Sequence, residues 1–283
     1  MLRLAVRVRR EQAELVLAEL LELAPSGVEE VELDGLVEYA VYGAPGELPA
    51  LPDLTAAAAG ALVEVRAREL ADDWSERWRE FHRPLVLDGR LTVRPPWEPP
   101  RGTPIELVID PGQAFGTGAH ATTRLCLELM LELPPGGGFV DLGCGSGVLA
   151  IAAAKLGWAP VIALDNDPAA VDTARANAAA NRVALDVRRG DLRREAVPDA
   201  PTIVANLLAP LLLAWAPRVP DSVRRVIASG LLVAEADRVA TAFTARGLVE
   251  ADRRSRGEWT ALSLERVGDG LDVGRARPRR PGG

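Results

Sequence analysis

The first seventy residues contain short stretches with two kinds of apolar pattern. Some alternate apolar and polar positions, as half-buried strands do, and others carry leucine and valine at helical spacing. The predicted strands cover residues 2–8, 27–33, 36–42 and 62–66, and the predicted helices cover residues 11–23 and 54–61. Asp34 and Gly35 form a turn dipeptide that favours a hairpin. The order β-α-β-β-α-β predicts a small ferredoxin-like α+β domain over residues 1–70.

The next stretch, residues 71–104, is predicted to connect two domains. Trp74, Trp78 and Phe81 fall on one face of a helix, which indicates packing against a neighbouring domain. The prolines and glycine that follow are typical of a linker with a short strand pair inside it. The predicted strands of this pair cover residues 84–87 and 91–94.

From residue 105 onward, apolar strands alternate with helices. The predicted strands cover residues 139–142, 160–164, 184–187, 202–205, 223–228, 249–253 and 258–264. The predicted helices cover residues 147–156, 168–181, 207–216 and 234–246. This pattern indicates a doubly wound, mostly parallel, Rossmann-like sheet of seven strands over residues 105–266, closed by a hairpin. The Gly-, Pro- and Arg-rich tail, residues 267–283, is predicted to be disordered; a small RNA-contacting arm is the alternative.

The amino-acid composition argues against several classes of function. No apolar run reaches the roughly 18 residues that a spanning helix needs, and the N-terminus does not resemble a signal peptide, so we expect a cytoplasmic protein without a membrane contact. Two cysteines and two histidines give neither a disulfide framework nor a zinc site, so we expect no metal. The net charge of −7 argues against direct nucleic-acid binding. We also expect a monomer.

A glycine-rich turn follows the first strand of the predicted sheet. Gly143, Gly145 and Gly147 let the backbone turn tightly and approach a ligand closely. A dinucleotide fingerprint requires glycine or alanine where Val148 stands, so the spacing argues against a nicotinamide enzyme. Glycines at this spacing, preceded by the acidic Asp141, resemble the first motif of S-adenosylmethionine methyltransferases. In those enzymes the acidic group faces the methionine end of the cofactor.

Two aspartates follow the next strands. Asp165 closes the second strand, 22 residues after Gly143, where a carboxylate can accept both ribose hydroxyls of an adenosyl group. Asp165 or Asp167 could instead cap the next helix, and both roles can hold if Asp167 is the cap. Asp191 follows the third strand, where adenine contacts fall in such enzymes; an ordinary loop aspartate is the alternative.

Asn206 ends the fourth strand. Ligands of doubly wound sheets bind at the carboxyl ends of the strands, so the Asn206 amide is predicted to point towards the transferable methyl group. A helix N-cap is the alternative role. Amino-group methyltransferases often follow this position with prolines and an aromatic residue. Leu207 and Leu208 stand there instead, which weakens assignment to the DNA-adenine or glutamine methyltransferases.

The segment over residues 109–127 carries the most specific motif, DPGQAFGTGAHATT. Gly116, Thr117 and Gly118 form a loop that can fold over a ligand, and Thr122 and Thr123 begin a helix with hydroxyls and free N–H groups. This motif resembles that of the bacterial ribosomal protein L11 methyltransferases, the PrmA family. The resemblance extends over residues 71–266. The first seventy residues resemble the family in the order of their predicted elements more than in amino-acid identity.

The resemblance implies the residues of the active site. Carried over by position, the cofactor contacts of the family fall on Thr123, Gly143, Asp165 and Asn206. The lid of the family is lined by Phe115, Gly116 and Thr117. His120 belongs to the same loop, and it is either a general base or a residue that positions the loop through a hydrogen bond.

The resemblance also implies the reaction. The expected function is transfer of methyl groups from S-adenosylmethionine to lysine side chains and the N-terminal amine of ribosomal protein L11, either free or bound to the ribosome. The first domain is expected to recognise that protein, with a structural cap as its alternative role. A methyltransferase acting on RNA or a small molecule is the alternative function, and a protein that binds the cofactor without turnover is a further one.

Overall fold

The computed structural model describes residues 2–13, 16, 20, 29–33, 35–43, 62–69, 84–110 and 120–268. The chain divides into two compact units, an N-terminal unit, Met1–Phe81, and a C-terminal unit, His82–Gly283. The predicted helix over 54–61 and the predicted helix that carries Trp74, Trp78 and Phe81 lie outside the described residues, as does the tail after residue 268. No helix in the described parts of the chain is long and apolar enough to cross a membrane.

The N-terminal unit contains a four-stranded antiparallel sheet in the order β2-β3-β1-β4. Its strands are β1 (Leu2–Arg9), β2 (Glu29–Leu33), β3 (Leu36–Gly43) and β4 (Leu62–Glu69). Alternate residues of β1 and β3 are buried on one face with Ala13, Val16 and Leu20, which are helical. On the other face, Arg7 forms ion pairs with Glu38 at 2.6 Å and Glu64 at 3.1 Å.

The C-terminal unit begins with a three-stranded sheet in the order β5-β6-β7. Its strands are β5 (Leu85–Leu87), β6 (Leu91–Arg94) and β7 (Ile105–Val108). Residues 84–104 were predicted to be a linker with a strand pair inside it; the strand pair is confirmed, but the stretch is not a linker. Leu87, Leu91 and Val93 are buried in the core of the C-terminal unit, so this stretch is part of its fold. The strand β7 had not been predicted.

A seven-stranded sheet forms the centre of the C-terminal unit, in the order β10-β9-β8-β11-β12-β14-β13. Its strands are β8 (Phe139–Leu142), β9 (Val161–Asp165), β10 (Asp186–Arg189), β11 (Thr202–Asn206), β12 (Arg225–Leu232), β13 (Leu248–Arg256) and β14 (Trp259–Arg266). The first five run parallel, and β14 is antiparallel to both of its neighbours. The predicted mostly parallel, Rossmann-like sheet is confirmed.

Helices cover both faces of this sheet. The helices are α1 (Ala121–Glu132), α2 (Val148–Leu156), α3 (Pro168–Asn181), α4 (Ala209–Trp215) and α5 (Ala236–Thr244). Side chains of α1, α2 and α3 form one apolar core, and those of α4 and α5 form a second one. Alternate residues of β8 contribute to both cores, since Phe139 belongs to the first and Val140 to the second. Burial on both faces explains why the central strands β8 and β11 are mostly apolar.

Candidate active site

Predicted site residues meet at the carboxyl ends of three neighbouring strands. Asp141 lies in β8, Asp165 ends β9 and Asn206 ends β11. The chain reverses its direction of winding at β8, because β9 pairs on one side of it and β11 on the other. Ligands of doubly wound sheets bind in the crevice at such a point.

Backbone hydrogen bonds connect the glycine-rich turn after β8 to β9. The N–H groups of Gly143 and Cys144 donate to the Leu164 carbonyl oxygen at 2.8 and 3.0 Å. Gly143 has a φ of 71°, and a Cβ atom there would lie 2.4 Å from Cδ2 of Leu207. The positive φ favours glycine at this position, and the Leu207 side chain packs directly against the turn.

Asp165 connects the turn to the start of α3. Its Oδ2 accepts from the Gly145 N–H at 2.9 Å and its Oδ1 from the Asp167 N–H at 3.1 Å. Each carboxylate oxygen can accept a further hydrogen bond, so both remain able to bind hydroxyl groups. Asp167, not Asp165, caps α3, because its side chain accepts from the Ala169 N–H.

Asp141 is fully buried behind the turn. Its Oδ2 accepts from the Ala150 N–H at 3.0 Å in the first turn of α2, whereas its Oδ1 has no hydrogen-bond partner among the described residues. Burial raises the pKa of Asp141 to about 7; the Ala150 hydrogen bond opposes this shift and the Asp165 carboxylate adds to it. A buried carboxylate oxygen without a partner is costly, and a cationic ligand nearby would lower that cost.

A cavity extends from the turn along the ends of β9 and β10. Its wall combines apolar residues, which include Leu142, Leu164, Leu192, Val197, Leu207 and Leu211, with Gly143 and Gly190 and with the polar or charged residues Asp165, Asn166, Arg188, Arg189, Asp191, Arg193 and Glu195. Asp191 lies in this wall, and its Oδ1 also accepts from the Arg193 N–H, so the carboxylate stabilises its own loop. Apolar walls beside a carboxylate suit a flat heterocycle joined to a diol.

Arg218 holds the loop that forms one side of this cavity. Its guanidinium donates to the carbonyl oxygens of Leu192 at 2.7 Å, Arg193 at 3.2 Å and Glu195 at 2.6 Å. Neither Arg218 nor Leu207 had been predicted as a site residue. The partners of Arg218 are backbone groups more than twenty residues away, so no local spacing could have indicated this role.

The start of α1 faces the same end of the sheet. The Asn206 Nδ2 donates to the Thr123 Oγ1 at 3.4 Å, which joins the end of β11 to the first turn of α1. N–H groups in the first turn of a helix lack intrahelical partners and favour anionic ligands. Thr123 and Asn206, two predicted cofactor contacts, are thus brought together by the fold.

His120 is the N-cap of α1. Its Nδ1 accepts from the Thr122 N–H at 3.3 Å and lies 2.8 Å from the Thr122 Oγ1, while its ring packs edge-on against Trp259. A ring nitrogen that accepts the capping bond places the proton of the neutral ring on Nε2. Burial lowers the pKa of His120, and the Glu258 carboxylate opposes that shift. The predicted lid residues Phe115, Gly116 and Thr117 lie outside the described residues.

The sheet order, the acidic glycine turn on its first strand and the polar ends of β9 and β11 define the C-terminal unit as an α/β methyltransferase fold. The family model described as "Ribosomal protein L11 methyltransferase (PrmA)" matches residues 50–267. The chain therefore belongs to the PrmA family of ribosomal protein L11 methyltransferases, as the sequence motifs had predicted.

Individual relatives agree with this assignment. A ribosomal protein L11 methyltransferase of Symbiobacterium thermophilum is 40% identical over 219 residues, covering 75% of this chain and 72% of that protein. One of Pelotomaculum thermopropionicum is 42% identical over 200 residues, covering 68% of this chain and 65% of that protein. The crystal structure of a ribosomal protein L11 methylase from Lactobacillus delbrueckii subsp. bulgaricus is 28% identical, with a TM-score of 0.57, over 66% of this chain and 98% of that chain.

Replacing Asp165 tests the predicted ribose contact. We expect Asp165→Ala to weaken S-adenosylhomocysteine binding about ten- to a hundredfold, because two charged hydrogen bonds are lost. Calorimetric titration measures this affinity. Asp167→Ala is the matched control: it removes the cap of α3, at a cost in stability of about 1 kcal/mol, but is expected to leave the affinity unchanged. An unchanged affinity in Asp165→Ala would contradict the assignment.

The cap at His120 predicts a dependence of stability on pH. The pKa is lowered in the folded state, so the unfolded chain binds the proton first as the pH falls below about 6.5. Stability is therefore complete above that pH and decreases until the folded-state pKa is passed. His120→Asn keeps an N-cap acceptor that does not titrate. Thermal unfolding from pH 7.5 to 5 should show a larger loss in the wild type than in His120→Asn; equal losses would contradict this prediction.

Proposed function

We propose that this chain transfers methyl groups from S-adenosylmethionine to lysine side chains and the N-terminal amine of ribosomal protein L11, free or bound to the ribosome. The contact between Asn206 and Thr123 is the observation that carries this proposal. It places an amide that can orient an amine beside the helix start and strand ends that suit the cofactor. The names of the relatives support the choice of L11.

The residues present fit the cofactor. S-adenosylmethionine supplies a methyl group on a positively charged sulfur. The Asp165 carboxylate would hold the ribose, and the apolar wall with Leu164, Leu192 and Leu207 would hold the adenine. Thr123 and the first turn of α1 would hold the carboxylate of the methionine end. The Oδ1 of Asp141, which has no partner in the part of the chain that the structure describes, makes this region of the site favourable for a cation.

The acceptor amine must lose a proton before it can react. A lysine has a pKa of about 10.4, so the neutral amine costs roughly 4–5 kcal/mol near pH 7. A second positive charge in a dry site beside a sulfonium is unfavourable, which reduces this cost. We propose that the Asn206 Oδ1 accepts an N–H of the neutral amine and thereby aims the nitrogen lone pair. Alignment then supplies most of the catalysis without a dedicated base.

His120 is proposed as a positioning residue, not a general base. Its Nδ1 is occupied as the N-cap of α1 and its ring is fixed against Trp259. Thr123 is the third residue of α1. By capping the first turn of α1, His120 would therefore keep Thr123 in position. This is the second of the two roles that the sequence left open.

The N-terminal unit is proposed to be a ferredoxin-like domain that recognises L11. Its four strands pair in the order β2-β3-β1-β4, and it has an apolar core of its own. None of the described residues named for the cofactor lies in it. We further propose that the protein acts as a monomer in the cytoplasm, without direct binding to nucleic acid.

Mass spectrometry tests the proposed function directly. Purified L11 is incubated with the enzyme and S-adenosylmethionine, and its mass is expected to rise in steps of one methyl group. Digestion then assigns the methyl groups to lysines and the N-terminal amine. If the mass of L11 is unchanged and RNA is methylated in a parallel reaction, this proposal is wrong and RNA is the acceptor.

A further inference from the structure

Two asparagines lie on one buried face of α3. Asn177 and Asn181 are four residues apart, and their exposed fractions are only 2% and 8%. Asparagine is a poor residue for a helix interior, because its side chain competes for backbone groups. Two such residues on a buried face indicate that their amides have specific partners elsewhere.

The partners are backbone groups at the end of β7. Asn181 accepts from the Val108 N–H at 2.9 Å and donates to the Val108 carbonyl at 2.6 Å. Asn177 accepts from the Asp110 N–H at 2.9 Å and donates to the Asp110 carbonyl at 3.1 Å. Each amide thus pairs with both backbone groups of one residue, as a neighbouring strand would.

Only Asn177 also reaches the glycine-rich turn. Its Nδ2 donates to the Ser146 carbonyl oxygen at 2.9 Å, whereas Asn181 makes its additional bond to the Asn177 carbonyl within α3. The turn rests closely on the same helix, since a Cβ on Gly147 would lie 3.0 Å from the Cβ of Ala174. Both donor hydrogens of Asn177 are used, one on Asp110 and one on Ser146.

We propose that Asn177 is a positioning residue for the cofactor. Its amide fixes the Ser146 carbonyl, and with it the glycine turn over residues 143–147, to α3 and to Asp110. The glycines of the turn have no side chains that could hold this conformation, so the turn depends on bonds from outside. Asn181 holds β7 in the same way but does not touch the turn. The inference rests on the proposed cofactor.

A pair of matched variants of the full chain tests this inference. Asn177→Ala and Asn181→Ala each remove both bonds to one residue of the 105–110 segment, so both are expected to lower the melting temperature by similar amounts. Only Asn177→Ala is expected to weaken S-adenosylhomocysteine binding, about tenfold, because the turn loses the hydrogen bond that joins it to α3. Asn181→Ala is expected to stay within about twofold of the wild type.

The possible results separate the two proposals. A wild-type chain that does not bind S-adenosylhomocysteine overturns the proposed cofactor function and this inference with it. A wild type that binds, with equal affinities for the two alanine variants, overturns only the role of Asn177. Weaker binding in Asn177→Ala alone supports it.

Asn177→Asp provides a second test that a merely structural role would not satisfy. An aspartate keeps the acceptor for the Asp110 N–H but has no donor for Ser146 when it is ionised. When protonated it regains one donor. The affinity of Asn177→Asp relative to the wild type should therefore rise as the pH falls from 8 to 5. The wild type, which shares the carboxylates Asp110, Asp141 and Asp165, is measured at each pH as the reference. A constant ratio would overturn the inference.

Discussion

Asn206→Ala is expected to lower the turnover number for L11 methylation about 100-fold while weakening S-adenosylhomocysteine binding much less. The amide is proposed to align the acceptor amine, and loss of alignment alone costs a factor of this size. Single-turnover kinetics with L11 and calorimetric titration measure the two effects separately. The reverse pattern, intact turnover with weak cofactor binding, would make Asn206 a cofactor residue only.

Thr123→Val is the matched control for this variant. Valine keeps the shape of threonine but removes the Oγ1 that accepts from the Asn206 Nδ2. Because Thr123 is also proposed to hold the cofactor, turnover is compared at saturating S-adenosylmethionine. If the bond orients the amide, Thr123→Val should then lower turnover less than Asn206→Ala, and the double variant should be no slower than Asn206→Ala alone. Fully additive losses would show that the two side chains act independently.

Most of the catalytic sheet could be predicted because its central strands are apolar and bounded by clear turn residues. β8 ends at the glycine turn and α3 begins at Pro168, and both elements have the predicted bounds. β10 was predicted two residues too early, since only Val187 of this strand is buried and the apolar pattern there is weak. The polar strand ends Asp165 and Asn206 followed directly from the topology.

In the stretch before the catalytic sheet, the strands β5 and β6 were predicted close to their observed bounds, but their place in the core of the C-terminal unit was not. Its prolines and glycine are typical of a linker, yet Leu87, Leu91 and Val93 are buried. Local pattern shows that these two strands form, but it does not show which elements will cover them. Their burial depends on α1 and α2, which come later in the chain.

The residues that support the site could not be predicted from the sequence for a different reason. Arg218 and Asn177 bind backbone carbonyls 23 to 26 and 31 to 67 residues away. Contacts between a side chain and a distant backbone leave no fixed spacing in the sequence. The one available signal was the pair of asparagines four residues apart in an alanine-rich helix, where residues at that spacing share a face.

A truncated protein that begins at Pro84 is expected to methylate L11 about 100-fold more slowly than the full chain at low substrate concentration. It retains the whole C-terminal sheet and both of its apolar cores, so it should bind S-adenosylhomocysteine within about twofold of the full-length affinity. The loss in rate corresponds to about 2.7 kcal/mol of binding energy supplied by the N-terminal unit. Initial rates with L11 and calorimetric titration measure both quantities.

A short lysine-containing peptide serves as the control substrate for the truncation. If the N-terminal unit recognises L11, full-length and truncated enzymes should methylate the peptide at equal rates, because neither docks it. Equal rates with L11 itself would contradict recognition and leave the unit a structural cap. A truncated protein that unfolds cooperatively but does not bind S-adenosylhomocysteine would show that the cofactor site requires residues before Pro84. The peptide thus distinguishes lost recognition from a damaged active site, since only damage slows both substrates.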